Sequence, residues 1–247
     1  NLTDSDHVIP KHYKVGTAQF ISNIPEQQWL DPDSNLTANN DDDDIEFLKQ
    51  VKTGNDITDE QKEQLITVLT KYKQAFARHE YDIGKFNGNV PRVIETKDEQ
   101  PIRSQPFRVP YVQKHALDTK VNKLVAHGIL GPTVSPWSSP SILVPRVNEP
   151  DDPRFVSDFR KANAITTPLH WPLPRVDAVT DVLAGCKYFS KLDALKGFFQ
   201  IPLNDPNDRE RSAIQIKTKS LEYLRLPMGM RNSAIIFARC IDRKSVV

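Results

Sequence analysis

The amino-acid sequence divides near residue 58 into two parts that differ in charge and in apolar content. Residues 1–60 carry 13 acids and 4 bases, a net charge of −9, whereas residues 61–247 carry 29 bases and 19 acids, a net charge of +10. Apolar residues are few in residues 1–57 and have no sustained period, and such a composition does not bury enough surface to fold alone. We therefore predict an acidic, disordered linker over residues 1–57 and a folded body after it.

The composition excludes several classes of protein. The chain has only two cysteines, Cys186 and Cys240, which excludes a disulfide framework and a four-cysteine zinc site. No apolar run reaches the roughly 18 residues that a membrane-spanning helix needs, and the polar first ten residues are not a signal peptide. The first residue is Asn, so we expect a piece of a longer polyprotein. The basic body makes nucleic acid a candidate partner, with an ordinary domain beside a solvated linker as the alternative.

Two helices are predicted before the central part of the chain. Residues 58–61 have the pattern of a capping box, and the apolar residues after them recur at helical spacing. A second helix fits residues 111–127, where apolar side chains fall on one face and Gly128 supplies a stop signal. The segment between the two helices is interrupted by prolines and is predicted to be extended. We therefore predict an N-terminal helix and extended segment over residues 58–110, leading into a second domain over residues 111–247.

The second part of the chain mixes strands with helices. Short runs rich in β-branched and aromatic residues predict strands. These runs are residues 93–96, 141–147, 155–159, 188–192, 199–203, 213–216 and 222–226. Residues 141–147 and 155–159 are predicted to form a hairpin, and residues 232–242 are predicted to form a helix. Because the elements interleave without repeated βα units, the sequence predicts an α+β fold.

Asp193 is the residue that most strongly suggests chemistry. It ends an apolar strand, and Lys196, Gly197 and Phe198 follow directly. A carboxylate at this place can hold Mg²⁺, and Gly197 permits the backbone to approach a phosphate group closely. The alternative is that Asp193 only forms a turn or a cap, which is the commoner role of such a residue. The spacing by itself leaves both interpretations open.

Residues 188–203, YFSKLDALKGFFQIPL, closely resemble motif A of the reverse transcriptases of Gypsy-type LTR retrotransposons. Other blocks of that family surround this motif in the same order. They are residues 100–103 and 106–110, residues 128–130 and 135–140, residues 154–163, residues 171–175, and residues 226–237, the last of which resemble motif B of the family. The resemblance implies an RNA-directed DNA polymerase from a Pol polyprotein. The implied fold is a right-hand polymerase fingers and partial palm fragment, within the α+β class, carrying an extended, partly disordered N-terminal arm.

The resemblance also implies a site for two Mg²⁺ ions and an incoming deoxynucleotide (dNTP). Asp193 would be the first metal-binding carboxylate and the catalytic residue, and Ala194 would offer its backbone carbonyl to a metal. Lys196 and Gly197 would present N–H groups to the triphosphate. Phe198 would lie under the sugar and exclude a 2′-hydroxyl by its bulk. Without the resemblance, Phe198 would be interpreted as an ordinary core aromatic residue.

Four further residues are assigned to the site by the same resemblance. Arg154 would clamp the triphosphate, a task that suits a planar and permanently charged group. Arg160 would contact the template and primer backbone, while Met228 and Gly229 would flank the nucleotide. The residue types leave simpler alternatives, namely a surface Arg154 and a core-filling Met228. Asp158 is predicted to pair with Arg160 rather than to bind a metal.

The sequence also departs from this family. A second pair of carboxylates, in a Tyr-x-Asp-Asp hairpin, would follow motif B, and Val247 comes before it. Residues 146–153 form a longer and more acidic fingers turn than is usual, and Ser233 and Ala234 replace an Ala-Pro pair. We therefore expect this chain to be catalytically incomplete on its own.

The implied partners are an RNA or DNA primer–template and dNTPs, with no membrane. The implied location is intracellular, in a cytoplasmic retrotransposon particle with a nuclear stage. Two alternatives give the chain a binding role without catalytic activity, through either the basic body or the acidic segment. The chain could be a non-catalytic nucleic-acid-binding remnant of a decayed element, or a protein-interaction fragment.

Overall fold

The structure is a computed structural model in which the chain forms two compact units. It describes residues 15–20 (backbone), 51–54, 57–97, 99–146, 152–172, 175, 177, 181, 183–217 and 219–242. The first unit combines Asn1–Lys85 with Pro172–Gly197, and the second combines Phe86–Trp171 with Phe198–Val247. Among the described residues, no helix is both long and apolar enough to cross a membrane.

The described residues form eight strands and five α-helices. The strands are β1 (Val15–Phe20), β2 (Lys52–Thr53), β3 (Leu130–Pro132), β4 (Ser139–Val144), β5 (Arg154–Ser157), β6 (Lys191–Ala194), β7 (Ile214–Ile216) and β8 (Lys219–Tyr223). The helices are α1 (Asp59–Lys71), α2 (Tyr111–Ala126), α3 (Arg160–Ile165), α4 (Pro206–Arg211) and α5 (Ser233–Ile241). Short 3₁₀ turns cover Lys73–Ala75 and Gly197–Gln200.

The first unit contains α1 and a three-stranded sheet in the order β2-β1-β6. Strands β1 and β2 are parallel, and β1 is antiparallel to β6, with Thr17 opposite Asp193. Both β1 and β2 lie within residues 1–57, for which the sequence predicts a linker. The rest of that segment lies outside the described residues, apart from the positions that flank β2 and Ile57.

Local sequence signals account for the starts and ends of the two long helices. At the start of α1 the Gln61 backbone N–H donates to the Thr58 hydroxyl at 3.3 Å, and the Thr58 N–H donates to the Gln61 side-chain oxygen at 3.0 Å. This reciprocal pair confirms the predicted capping box. Helix α2 ends at Ala126, just before Gly128, whose φ of +63° favours glycine. The predicted helix over residues 111–127 is therefore confirmed.

The second unit is built on a five-stranded sheet in the order β3-β8-β7-β4-β5. Strand β4 is antiparallel to β5 and parallel to β7, which in turn is antiparallel to β8. The predicted hairpin is therefore confirmed, while residues 147–151 of its turn lie outside the described residues. One face of α2 is buried through Leu117, Val121 and Leu124. The mixture of helices with a largely antiparallel sheet confirms the α+β class.

Two predicted strands are wrong. Residues 199–203 do not form a strand, because Gly197–Gln200 winds into a 3₁₀ turn that the Ile201 N–H closes on the Phe198 carbonyl at 3.1 Å. Residues 93–96 also form no strand, and only Thr96 makes an isolated bridge, to Thr166. The N–H groups of Val93 and Ile94 instead donate to the carboxylate of Asp208. A side chain from α4 therefore takes the place that a neighbouring strand would occupy.

Two other strands are displaced from their predicted positions. Strand β6 begins at Lys191 rather than at residue 188, and it includes Asp193 instead of ending before it. Strand β8 covers Lys219–Tyr223 and so ends before most of the predicted range 222–226. Strand β7 and helix α5 agree with their predictions within one residue.

A chain of three buried hydroxyl groups crosses the second sheet. The Ser157 hydroxyl lies 2.8 Å from that of Ser141 and 2.9 Å from that of Tyr223. Tyr223 is 4% exposed. Burial raises the pKa of Tyr223 to about 12, although the hydrogen bond with Ser157 acts in the opposite direction. The native state therefore resists ionisation of this phenol.

Tyr223 should make the protein less stable in alkaline solution. The unfolded phenol ionises near pH 10, and the buried one near pH 12. The stabilisation that the protonated Tyr223 contributes is therefore fully present below pH 10 and is lost as the pH rises towards 12. We expect the free energy of unfolding to fall by about 2–3 kcal/mol across this window. Denaturant titrations at several pH values should show a smaller fall in Tyr223→Phe. Tyr111→Phe, at a tyrosine that is 84% exposed, should behave like the unsubstituted chain, and an equal effect of both variants would contradict the assignment.

Candidate active site

Asp193 lies in β6, one residue before the strand ends at Ala194. Its side chain is exposed, so the carboxylate is accessible to a ligand. The chain then turns at Leu195 and Lys196 and enters the 3₁₀ turn that begins at Gly197. The structure therefore places a solvent-accessible carboxylate immediately before a tight turn, as the sequence predicts.

Lys196 holds this turn in an uncommon backbone conformation. Its φ is +45°, which is sparsely populated by residues other than glycine and persists where surrounding contacts hold it. The Lys196 ammonium group donates to the Glu80 carboxylate at 2.8 Å and lies 4.9 Å from the centre of the Tyr81 ring. These two contacts hold the side chain over the segment that follows α1. The sequence prediction missed Glu80 and Tyr81, because a pairing across 116 positions leaves no periodic signal.

The first unit supplies oxygen donors of the kind that Mg²⁺ prefers. The Asp193 carboxylate and the Ala194 backbone carbonyl are hard oxygen ligands. Among the described residues, however, no three His, Cys, Asp or Glu side chains come close enough to one another to hold a metal ion. The residues present therefore fit part of a divalent-cation site, to which this region contributes one carboxylate.

In the second unit, Arg160 is fixed by Asp158. The Arg160 Nε and backbone N–H donate to Asp158 Oδ1 at 2.9 and 3.1 Å, and its Nη2 donates to Oδ2 at 2.7 Å. This confirms the predicted pair, and the side-chain hydrogen bond from Arg160 is the main reason that the pKa of Asp158 is lowered. The Arg160 side chain is still 86% exposed. The guanidinium is thus oriented and remains accessible.

A cleft of about 340 Å³ opens beside this pair. It is lined by Phe107, Ile142, Val156, Ser157, Asp158, Phe159, Arg160, Asn163 and Gly229. Apolar side chains thus form part of the wall, with charged and amide groups beside them. Gly229 has a φ of +84°, and its neighbour Met228 is 51% exposed. The cleft therefore brings two of the predicted site residues, Arg160 and Gly229, to one place.

Phe198 and Arg154 occupy separate places in the second unit. The Phe198 ring is half-buried and packs against Phe237, with 5.1 Å between the ring centres. Arg154 is exposed at the start of β5 and is paired with Val144 in the sheet register. Neither residue is among those that line the cleft. Of the predicted site residues, Asp193, Ala194, Lys196 and Gly197 belong to the first unit, and Arg154, Arg160, Phe198, Met228 and Gly229 belong to the second.

Comparison with known proteins gives consistent matches. Residues 144–245 match the family model described as reverse transcriptase (RNA-dependent DNA polymerase). The retrovirus-related Pol polyprotein from transposon 297 of Drosophila melanogaster is 32% identical over 175 residues, which are 68% of this chain and 16% of that protein. The Pol polyprotein from transposon gypsy of the same organism is 31% identical over 190 residues, which are 75% of this chain and 18% of that protein.

Solved structures show the same fold. The protease–reverse transcriptase of prototype foamy virus aligns with a TM-score of 0.67 and 23% identity, over 80% of this chain and 26% of that one. The foamy viral protease–reverse transcriptase in complex with an RNA/DNA hybrid aligns with a TM-score of 0.62 and 20% identity, over 85% of this chain and 28% of that one.

The aligned folds are consistent with the predicted fragment of polymerase fingers and partial palm. The chain belongs to the reverse transcriptase family, within the Gypsy-type group of LTR retrotransposon Pol polyproteins. It spans less than a fifth of the length of the Drosophila relatives described above. The resemblance inferred from the sequence is therefore confirmed.

Proposed function

We propose that this chain forms the fingers and part of the palm of an RNA-directed DNA polymerase, which adds dNTPs to the 3′-hydroxyl of a primer on an RNA or DNA template. The observation that carries the proposal is the exposed Asp193 carboxylate, which precedes the strained turn at Lys196 within the family match. Because the relatives are much longer than this chain, the activity is proposed for a whole protein of which this chain is a part.

The proposed chemistry is positioning and charge stabilisation. A pair of Mg²⁺ ions would supply Lewis-acid stabilisation of the attacking and leaving oxygens in this type of reaction. Within this chain, Asp193 and the Ala194 carbonyl would hold one ion. The N–H groups of Lys196 and Gly197 would bind the triphosphate. Reverse transcriptases in general use divalent metal ions, and the oxygen donors of this turn suit such an ion.

The remaining residues would bind the nucleotide and the template. Arg154 would contact the triphosphate, and Phe198 would exclude a 2′-hydroxyl. Met228 and Gly229 would flank the nucleotide, and Arg160 would contact a backbone phosphate, which contributes affinity without reading sequence. Two of the similar foamy virus structures are complexes with an RNA/DNA hybrid and with double-stranded DNA, and this supports a primer–template as the partner. We also propose that a domain boundary lies at residue 110, between the N-terminal segment 58–110 and the domain 111–247. The proposed location is a cytoplasmic retrotransposon particle with a nuclear stage.

Binding of an RNA/DNA primer–template across a salt series tests the nucleic-acid part of this function. Neutralised phosphates release counterions, so the logarithm of the binding constant should fall linearly with that of the salt concentration. Arg160→Ala should reduce the slope by about 1. Arg175→Ala is a matched control, because Arg175 is equally exposed and also pairs with an Asp two positions away. Binding that does not depend on salt would overturn the proposal, and an equal effect of both variants would remove Arg160 from the interface.

A further inference from the structure

The side-chain amide of Asn163, in α3, contacts the turn that contains Gly229. Asn163 Nδ2 donates to the Gly229 carbonyl at 2.8 Å, and the Arg231 backbone N–H donates to Asn163 Oδ1 at 2.8 Å. The side-chain nitrogen and the side-chain oxygen of Asn163 therefore each bind one backbone group, and these two groups lie on either side of Met230. A third hydrogen bond runs from Arg231 Nη1 to the Asn163 carbonyl at 3.1 Å. Asn163 thus bridges α3 and the turn through three contacts.

The turn is also anchored where it meets α5, by side chains that do not contact the cleft. Asn232 Nδ2 donates to the carbonyls of Val93 and Thr167 at 2.9 and 3.0 Å. The Ser233 hydroxyl donates to the Pro227 carbonyl at 2.7 Å. These buried groups fix the segment on both sides of residues 228–231. The conformation of the middle of the turn therefore depends on the groups that contact Gly229 and Arg231.

The conformation at Gly229 is one that needs such support. Its φ of +84° is readily reached by glycine but is strained for other residues, while a Cβ there would meet nothing closer than 3.9 Å. The requirement for glycine is thus conformational rather than steric. The contacts of Asn163 on either side of Met230 select this conformation from those that glycine permits. Asn163 also lines the same cleft as Gly229.

We propose that Asn163 is a positioning residue for the nucleotide pocket. It holds the Met228–Gly229 turn in the one conformation that binds a deoxynucleoside triphosphate, and it does so through the Gly229 carbonyl and the Arg231 amide. The inference rests on the proposed function, since it assigns the ligand of this turn from that function. A purely structural role for Asn163 would change stability and leave nucleotide affinity unaltered.

The test combines nucleotide affinity with a direct probe of the turn. Equilibrium dialysis of radiolabelled dATP against the full chain, with primer–template and Mg²⁺ present, gives Kd. Hydrogen exchange resolved at the Arg231 amide gives its protection. Asn163→Ala should raise Kd about tenfold and accelerate exchange at Arg231. Lys161→Ala, at an exposed position two residues earlier on α3, should alter neither value.

A second variant shows whether both residues act on the same turn. Gly229→Ala strains the turn without touching Asn163, so it should also raise Kd, and the double variant should be little worse than either single one because the two changes are coupled.

If melting shows that Asn163→Ala does not fold, Gly229→Ala remains decisive, since wild-type affinity in that variant would overturn the proposal. Unchanged Kd or unchanged Arg231 exchange in a folded Asn163→Ala chain would also overturn it. Failure of the unsubstituted chain to bind dATP would sink the proposed function together with this inference, whereas binding that Asn163→Ala leaves intact would sink this inference alone.

Discussion

Replacing Asp193 by Asn is expected to lower the rate of primer extension by about 10³-fold, because it removes the carboxylate that we propose to bind a metal ion, and with it several kcal/mol of charge stabilisation. Asn has nearly the same shape but no charge, so the variant isolates the electrostatic contribution. Asp193 is exposed and makes its backbone pairing through β6, so the substitution should leave the fold intact. Extension is measured on a chimaera that joins this chain to the downstream part of the gypsy Pol polyprotein.

Two controls separate a loss of chemistry from a loss of binding. Asp59→Asn changes an exposed carboxylate in the first turn of α1 and should leave the extension rate unchanged. The salt-dependent binding of primer–template should be the same in Asp193→Asn as in the unsubstituted chain, because the role proposed for Asp193 is to hold a metal ion rather than to contact phosphates of the duplex. Extension that survives in Asp193→Asn would remove Asp193 from the metal site, whatever the family match.

Features of the fold that depend on neighbouring residues could be predicted from the sequence. The capping box at Thr58 involves residues three positions apart, and the structure has both of its hydrogen bonds. The stop at Gly128 and the hairpin of β4 and β5 are likewise set by short-range geometry and alternation. The pairing of Asp158 with Arg160 spans two residues. In each case the physical cause lies within the segment in which the pattern is found.

Features that depend on distant residues could not be predicted. Residues 93–96 have the β-branched composition of a strand, yet their N–H groups bond to a carboxylate that is more than 110 positions away. Lys196 is held by Glu80 across 116 positions, and Asn163 holds Gly229 across 66. Such contacts are chosen by the tertiary fold, which overrides local propensity. This also explains why the predicted site contained the residues of the turns but none of the side chains that support them.

Asp208 makes the most consequential of these distant contacts. Its two carboxylate oxygens accept hydrogen bonds from the N–H groups of Val93 and Ile94, both at 2.8 Å. Asp208 is 2% exposed, and Val93 and Ile94 are each 1% exposed. Burial raises the pKa of this carboxyl, although the two backbone hydrogen bonds act in the opposite direction. The carboxylate is therefore largely removed from water and is retained because it satisfies two buried donors.

We expect Asp208→Ala to lower the free energy of unfolding by about 3 kcal/mol, because it leaves two buried N–H groups without an acceptor at a cost of about 1–3 kcal/mol each. Asp208→Asn keeps one oxygen and should cost less, whereas Asn207→Ala, at the exposed neighbouring position of α4, should cost little. Urea unfolding followed by circular dichroism gives the three values. A cost for Asp208→Ala no greater than that for Asn207→Ala would mean that water reaches the two amides. Residues 93–96 would then be held in place within the second unit by their apolar side chains rather than by this carboxylate.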